Sequence, residues 1–317
     1  MSDLPDKPTR RYSGAVYLLI CAGLLLALHF YRPSPTGLWQ KTFFDALHVP
    51  TFGIIAVMLL LATPTHWRKP RRFGVAFGSA IALSVLSELL QIPIERDASL
   101  SDLGADILGA AAALGLAASL PGLGLARRWQ RVLTASACVV VLVFALATFL
   151  TVSAAYFQRD RLFPVLADLT APFMDVFVTL QHATLQVADA RGKSDLPWVV
   201  RLDSGAWPGL IFHDIRPDWR GFSSLVIELG VDDDHPLDIT IRVHDRQHRA
   251  GDQPYRDRFN RTYELQPGHH TLRIPIADIR DAPQGRPMDL DQIDGIVIFC
   301  HAREAGREFD IGKIRLE

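Results

Sequence analysis

Five apolar stretches crowd the first half of this chain, and they limit its folding more than any other feature. They are Gly14–Tyr31, Phe43–Ala62, Phe73–Leu90, Leu103–Leu120 and Val132–Ala155. A helix needs about 20 apolar residues to cross the hydrocarbon core of a bilayer. Each stretch comes close to that or exceeds it, so the sequence predicts a bundle of about five transmembrane helices over residues 1–155. The first stretch, behind Lys7, Arg10 and Arg11, could also be read as a signal peptide. The following "HFYRPSPTGLWQ" holds no small-x-small cleavage site and four more spans come after it, which favours an uncleaved helix.

Basic residues give the bundle a direction. Ten of them (Lys7, Arg10, Arg11, Arg68, Lys69, Arg71, Arg72, Arg127, Arg128, Arg131) fall on one side of the expected membrane, and three (Arg32, Lys41, Arg96) on the other. The N-terminus is therefore expected in the cytoplasm, and everything after Ala155 outside. The formal net charge of −1 gives no basic surface for nucleic acid. The three cysteines form no CxxC pair and there is no HExxH spacing, so no disulfide framework or zinc motif is read.

The stretch "SELLQIPIERDASLSDLGADILG" is polar where spans three and four approach the outer face. In the predicted topology Asp45 and His48 begin span two at that same face. The pairs Asp45/His48 and Glu88/Gln91 at i,i+3, and Asp102/Asp106 at i,i+4, are expected to project from one side of their helices. Ionisable groups in hydrocarbon usually face the bundle interior and pair. Arg96 is the expected cation and His48 a proton-transfer group near neutral pH. Ser99, Ser101 and Asp102 also suit a simple helix N-cap, and for Asp102 alone both readings stand.

These residues resemble the VanZ-like membrane family, named for a teicoplanin-resistance protein. The family pattern is matched by Glu88, Gln91, Arg96, Ser99, Asp102, Asp106 and Gly109, and by Asp45 and His48 in "DALHVPTFG". Asp106 departs from the expected Asn, and an aromatic expected after the His appears only as Phe52. The match covers roughly residues 38–120. It implies a multi-span envelope protein of a family sometimes linked to glycopeptide tolerance, with no agreed reaction.

Beyond Ala155 the composition turns polar. Residues 156–197 place Leu162, Val165, Leu166, Leu169, Phe173, Val176, Phe177 and Leu180 near helical spacing, broken by Pro164 and Pro172, and an amphipathic helical linker is predicted. From Trp198 the pattern becomes short alternating runs: "WVVRLD", "GLIFHDI", "SSLVIELGV", "LDITIRVHD", "DRFNRTYEL", "HTLRIPIAD", "GIVIFCH" and "FDIGKIRLE". Eight strands over residues 198–317 predict an all-β jelly-roll sandwich.

The blocks "DWRGFSSLVIEL", "DITIRVHD", "DRFNRTYELQPGHHTLRIPIADI" and "FDIGKIRLE" resemble galactose-binding-like jelly rolls of the carbohydrate-binding-module type. The resemblance implies a face for a cell-wall or surface glycan and, in some members, a structural calcium. Candidate sugar contacts are Trp207 and Trp219 by stacking, and His213, His244, Asp245, Arg256 and Asp257 by hydrogen bonding. A Trp in a small sandwich is also a natural core residue. Arg258 and Asn260 suit a strand edge or turn equally well. Asp203 and Asp310 are the candidate calcium ligands, and no other cofactor is expected. Two functions follow as expectations: an envelope protein that binds or organises glycans, or a membrane enzyme acting on a lipid-linked sugar or phosphate at the outer polar cluster.

Overall fold

The computed structural model describes residues 9–30, 37–91, 100–188 and 195–317. The chain divides into two compact units, Met1–Thr151 and Val152–Glu317.

The first unit is helical. Its helices are α1 (Thr9–Phe30), α2 (Leu38–Ala46), α3 (His48–Ala62), α4 (Lys69–Gln91), α5 (Leu100–Ser119) and α6 (Arg128–Ala145), and α7 (Ala147–Leu162) begins in it. Four stretches are long and apolar enough to cross a membrane: Leu38–Ala62, Lys69–Leu90, Leu100–Ser119 and Arg128–Ala145. In α1 the corresponding apolar segment, Gly14–Ala27, is shorter. Two expected spans carry a one-residue irregularity. Span two changes from α2 to α3 at Leu47. Span five is interrupted at Leu146 with neither Pro nor Gly there, and its hydrogen bonds Leu146 N–Leu142 O and Leu150 N–Leu146 O, both 3.0 Å, persist.

Small residues set the packing of these helices. Ala56, Ala76, Ala80 and Ala110 form a buried cluster with Leu60 and Leu114. At the crossing of α3 and α5 a Cβ added to Gly109 would stand 2.1 Å from the Val49 carbonyl oxygen, so the two backbones touch. Close approach of this kind is what Gly and Ala supply between membrane helices. Gly104, one turn and a half earlier on α5, has nothing within 4 Å of its added Cβ, so Gly104→Ala is expected to leave the bundle intact or stabilise it by about 1 kcal/mol through helix propensity. Thermal unfolding of the variant in detergent checks this.

The second unit is a sandwich of two antiparallel sheets. Its strands are β1 (Val165–Ala167), β2 (Val178–Gln181), β3 (Ala183–Val187), β4 (Trp198–Leu202), β5 (Gly209–His213), β6 (Ser224–Val231), β7 (Leu237–Asp245), β8 (Phe259–Leu265), β9 (Gly268–Pro275), β10 (Ile293–Phe299) and β11 (Glu308–Leu316). Two short helices, α8 (Arg246–Ala250) and α9 (Ile276–Arg280), follow β7 and β9. One sheet runs β3-β4-β11-β6-β9, with β1 also on β11, and the other runs β2-β5-β10-β7-β8. All eight runs expected from Trp198 onward are strands. Alternation explains the layers: Ile239, Ile241 and Val243 of β7 are buried among Leu210, Phe212, Ile296 and Ile298, while Asp238, Thr240 and Arg242 take the opposite face.

The expected helical linker is corrected. Helix continues only to Leu162, and β1, β2 and β3 follow within residues 165–187. Pro164 and Pro172 prevent a long helix. The apolar residues at near-helical spacing are divided instead between cores: Leu166 and Leu169 lie in the sandwich interior, and Met174 and Phe177 pack on Ala155. Pairing supplies the reason. β2 covers β5 and β3 covers β4, two strands that would otherwise expose unpaired backbone at the sheet edges.

Candidate functional site: a polar groove with aromatic walls

The outer face of the five-stranded sheet carries a groove of about 370 Å³. Strand register assembles its floor. Gln181 sits opposite Gly209, then Phe299, Thr240 and Thr262 continue the row across β10, β7 and β8. The next row on the same face is Val297, Arg242 and Asn260. Thr240 and Thr262 join their hydroxyls at 2.8 Å.

Two exposed aromatics flank this floor. Trp207 is 50% exposed and Tyr255 is 64% exposed. Trp207 holds φ at +58°, a left-handed conformation that is unusual for a bulky residue. Its indole meets Phe299 edge-on at 5.6 Å and His301 at 5.0 Å between ring centroids. Backbone strain of this kind costs about 1–3 kcal/mol and persists where surrounding contacts enforce it. The Tyr255 hydroxyl accepts from Asn260 Nδ2 at 2.8 Å, and the Arg258 guanidinium lies 5.1 Å from the Tyr255 ring centroid.

The floor is polar and incompletely satisfied. Arg242 Nε, Arg258 Nε and Asn260 Oδ1 are buried with no hydrogen-bond partner. Arg242 donates from Nη2 to His248 Nε2 at 3.2 Å. Burial and the neighbouring Arg258 charge push the Arg242 pKa down to about 10, so it remains a cation at neutral pH. Burial lowers Arg258 as well, partly offset by Tyr255.

Arg286 fixes the loop that brings Tyr255 and Arg258 to the groove. Its guanidinium donates to Asp257 in that loop, with Nε–Oδ1 2.7 Å and Nη2–Oδ2 2.9 Å, and to Asp245 at the end of β7, with Nη2–Oδ1 2.9 Å. Asp245 also accepts from the amides of His248 and Asp289, each at 2.9 Å. Burial raises its pKa, but Arg286 and these amides outweigh that and hold the carboxyl below the usual carboxylate range. Arg286 likewise holds Asp257 low.

Of the residues expected to touch sugar, Trp207 lines the groove and the others do not. Trp219 is corrected to a core residue: it is 0% exposed and its indole donates to Arg216 O at 3.0 Å. His213 and His244 share the groove's sheet face, both opposite Gly295, one row beyond the floor. His213 pairs with Asp214 at 3.3 Å, and buried His244 stands 3.5 Å from Asp294. Asp245 and Asp257 are occupied by Arg286. Arg256 is exposed in the loop, and its carbonyl accepts from Gln284 N at 2.8 Å. The structure does not bring the two calcium candidates together. Asp310 lies buried opposite Val199, and exposed Asp203 is four residues farther along, roughly 13 Å of strand.

Sequence reasoning missed Arg242, Tyr255 and Thr240 and left Arg258 and Asn260 equally suited to a strand edge or turn. A signal existed in the outward positions of "DITIRVHD", which are polar, and in Phe299, an aromatic on the outward side of "GIVIFCH".

The helical unit holds a second polar cluster. His48 opens α3, and its Nδ1 lies 2.9 Å from Asp106 Oδ1 on α5. Ser84 of α4 donates to Asp106 Oδ2 at 2.6 Å. His48, Glu88 and Asp106 are all buried and each offers a ligand atom within 4.8 Å of the other two, a nitrogen–oxygen donor set suited to a divalent metal ion. Asp45 is exposed near the end of α2, whereas His48 is buried at the start of α3. Asp102 is half-buried in the first turn of α5. Arg96 and Ser99, with the side chain of Gln91, lie outside the described residues.

The fold and the groove define a two-sheet sandwich with a ligand-sized cleft on one outer face. Solved structures similar to this chain include a family 11 carbohydrate-binding module from Clostridium thermocellum in complex with a β-1,3-1,4-mixed-linked tetrasaccharide, at 14% identity and TM-score 0.33, covering 44% of this chain and 88% of that one. An exo-β-agarase matches at 14% identity and TM-score 0.34, and another agarase at 13% and 0.37. Those two alignments cover 44% and 48% of this chain but only 22% and 26% of the agarases. No protein-family model and no curated protein sequence matches the chain.

Proposed function

We propose that the sandwich binds a glycan in the groove between Trp207 and Tyr255. One observation carries the reading: two exposed aromatic rings border a floor whose buried Arg242 Nε, Arg258 Nε and Asn260 Oδ1 have no protein partner. An unmet buried polar group costs free energy, and sugar hydroxyls supply both donors and acceptors. Aromatic rings supply the apolar surface against which a pyranose face packs. The volume falls in the range of small-ligand sites, about 300–1,000 Å³.

Trp207→Ala is expected to weaken retention on immobilised polysaccharide by about 10- to 100-fold, the scale of losing one well-packed aromatic anchor. Because Trp207 is half exposed, the thermal midpoint should stay close to wild type. Affinity electrophoresis of the full chain in detergent, with unfolding followed in parallel, measures both. Undiminished retention by a folded Trp207→Ala protein would refute the assignment.

The helical unit is read here as a membrane anchor of VanZ-like type, with its N-terminus cytoplasmic and the sandwich outside. Support comes from the ten-to-three basic bias and from the outward-facing Leu19, Leu133, Val140 and Phe144, a surface suited to lipid. Reporter fusions after Glu317 test it, and a cytoplasmic signal rejects the topology.

A second reading, chemistry within the helices on a lipid-linked sugar or phosphate, is favoured by the convergence of His48, Glu88 and Asp106. Here His48 or Glu88 would move the proton. Turnover by the wild-type chain that disappears in His48→Ala, with helical content retained, is the required result.

A further inference from the structure

We infer that the groove takes an acidic glycan, one whose sugar rings carry carboxylate or sulfate groups, with the anion held by Arg242 and Arg258. This rests on the glycan reading above and names the substrate class.

Charge at the site is one-sided. The lining holds two arginines and His301 and no carboxylate. No carboxylate lies within 4.0 Å of either guanidinium among the described residues. Elsewhere on the sandwich, other partly buried arginines are paired: Arg286 with Asp245 and Asp257, Arg307 with Asp233 and Glu304, and Arg315 with Glu228 and Glu317. Arg242 and Arg258 instead meet an imidazole nitrogen and a tyrosine ring, and the carboxylate behind that imidazole, Asp257 at 3.4 Å from His248, is already bound by Arg286.

Two like charges are thus drawn out of water beside one another. Such an arrangement is unfavourable unless an anion joins it. A neutral sugar would satisfy the free N–H groups and leave the charges unbalanced. A carboxylate or sulfate does both, because the guanidinium fork matches its oxygens. Asn260 adds an unmet acceptor, Oδ1, positioned beside Arg242 by strand register. A ring hydroxyl would donate to it. The site therefore selects an anionic substituent and a hydroxyl together, on a ring that Trp207 contacts.

The test uses the full chain in detergent, with titration calorimetry at constant pH against defined polymers. These are polygalacturonate, the same polymer after carboxyl reduction, dextran sulfate, dextran, and polyglutamate as a non-sugar polyanion. Polygalacturonate or dextran sulfate is expected to bind at least about tenfold more tightly than its neutral counterpart, and which of the two does so identifies the anion. Arg242→Gln and Arg258→Gln should each weaken that binding by about 10- to 100-fold, the scale of one hydrogen bond to a charged group. Arg242→Lys should recover part of the loss. Arg249→Gln, which removes an exposed cation paired with Asp294 away from the groove, should change binding less than threefold. Without ligand, Arg242→Gln should keep or raise the thermal midpoint, whereas a purely structural arginine would lower it.

Equal binding of an acidic polymer and its neutral form overturns the acidic assignment and leaves glycan binding standing. Polyglutamate binding as tightly as the acidic sugars, or no binding to any polymer, overturns both. A lowered midpoint in ligand-free Arg242→Gln also counts against an anion site.

Discussion

Arg286→Ala is expected to lower the thermal midpoint of the sandwich by roughly 6–20 °C, the equivalent of about 3–5 kcal/mol in a unit of this size. The reason is the carboxylate left behind. Asp245 is 0% exposed, and Arg286 is the cation that balances it. The amides of His248 and Asp289 would remain as donors but carry no net charge.

The pH dependence of this loss has a fixed sign. Asp245 and Asp257 have folded pKa values below their unfolded ones. Their contribution to stability is therefore present above the unfolded carboxylate pKa, about 3.9, and disappears as pH falls through the folded value. Wild type and Arg286→Ala should differ most at neutral pH and converge under acid. Unfolding by circular dichroism from pH 7 to pH 3 measures the gap, and a gap constant across that range would exclude the buried pair as its source. A second consequence is local: without Arg286 the Asp257 loop loses its charged tether and keeps the Gln284 N–Arg256 O and Asn260–Tyr255 bonds, so Tyr255 and Arg258 are held less firmly at the groove. Glycan binding should weaken even at temperatures where the sandwich remains folded.

The second large effect concerns the helices. Gly109→Ala is expected to destabilise the bundle by about 3 kcal/mol, at the upper end of what overpacking usually costs. The added Cβ would lie 2.1 Å from Val49 O, well inside carbon–oxygen contact distance, and the obstacle is backbone rather than a side chain that can rotate. α3 and α5 must then separate. His48 is adjacent to Val49, and Asp106 is one turn before Gly109, so the same separation stretches the 2.9 Å His48–Asp106 contact. Gly53→Ala provides the graded comparison, because its nearest foreign atoms are 3.2 and 3.3 Å away and a small adjustment accommodates them. Thermal aggregation in detergent should rank the variants wild type, Gly53→Ala, then Gly109→Ala. Equal behaviour of the two glycine variants would show that the backbones do not meet at Val49.

The eight strands from "WVVRLD" to "FDIGKIRLE" were legible because alternation reports one buried face of a sheet wherever the strand lies. The apolar helices were legible for a related reason, since length and apolarity alone define them. Residues 163–187 were not. Leu166, Leu169 and Phe177 have near-helical spacing, yet β2 and β3 form because β5 and β4 need edge partners, a demand that comes from other parts of the chain. Trp207 and Trp219 were indistinguishable as residue types, and only packing buried one and exposed the other.

By itself the sequence determined the apolar helices of the first half and the eight strands from Trp198 onward, and it gathered the polar residues of residues 45–109 as candidates. It did so through local periodicity, which depends on near neighbours. Tertiary structure decided which of them meet. His48 and Asp106 are 58 positions apart, and the groove draws its lining from β2, β7, β8, β10 and the Trp207 and Tyr255 loops. Whether an arginine is paired with a carboxylate or left to face a ligand depends on strand register and loop closure, and neither is written in the spacing of the residues that form the site.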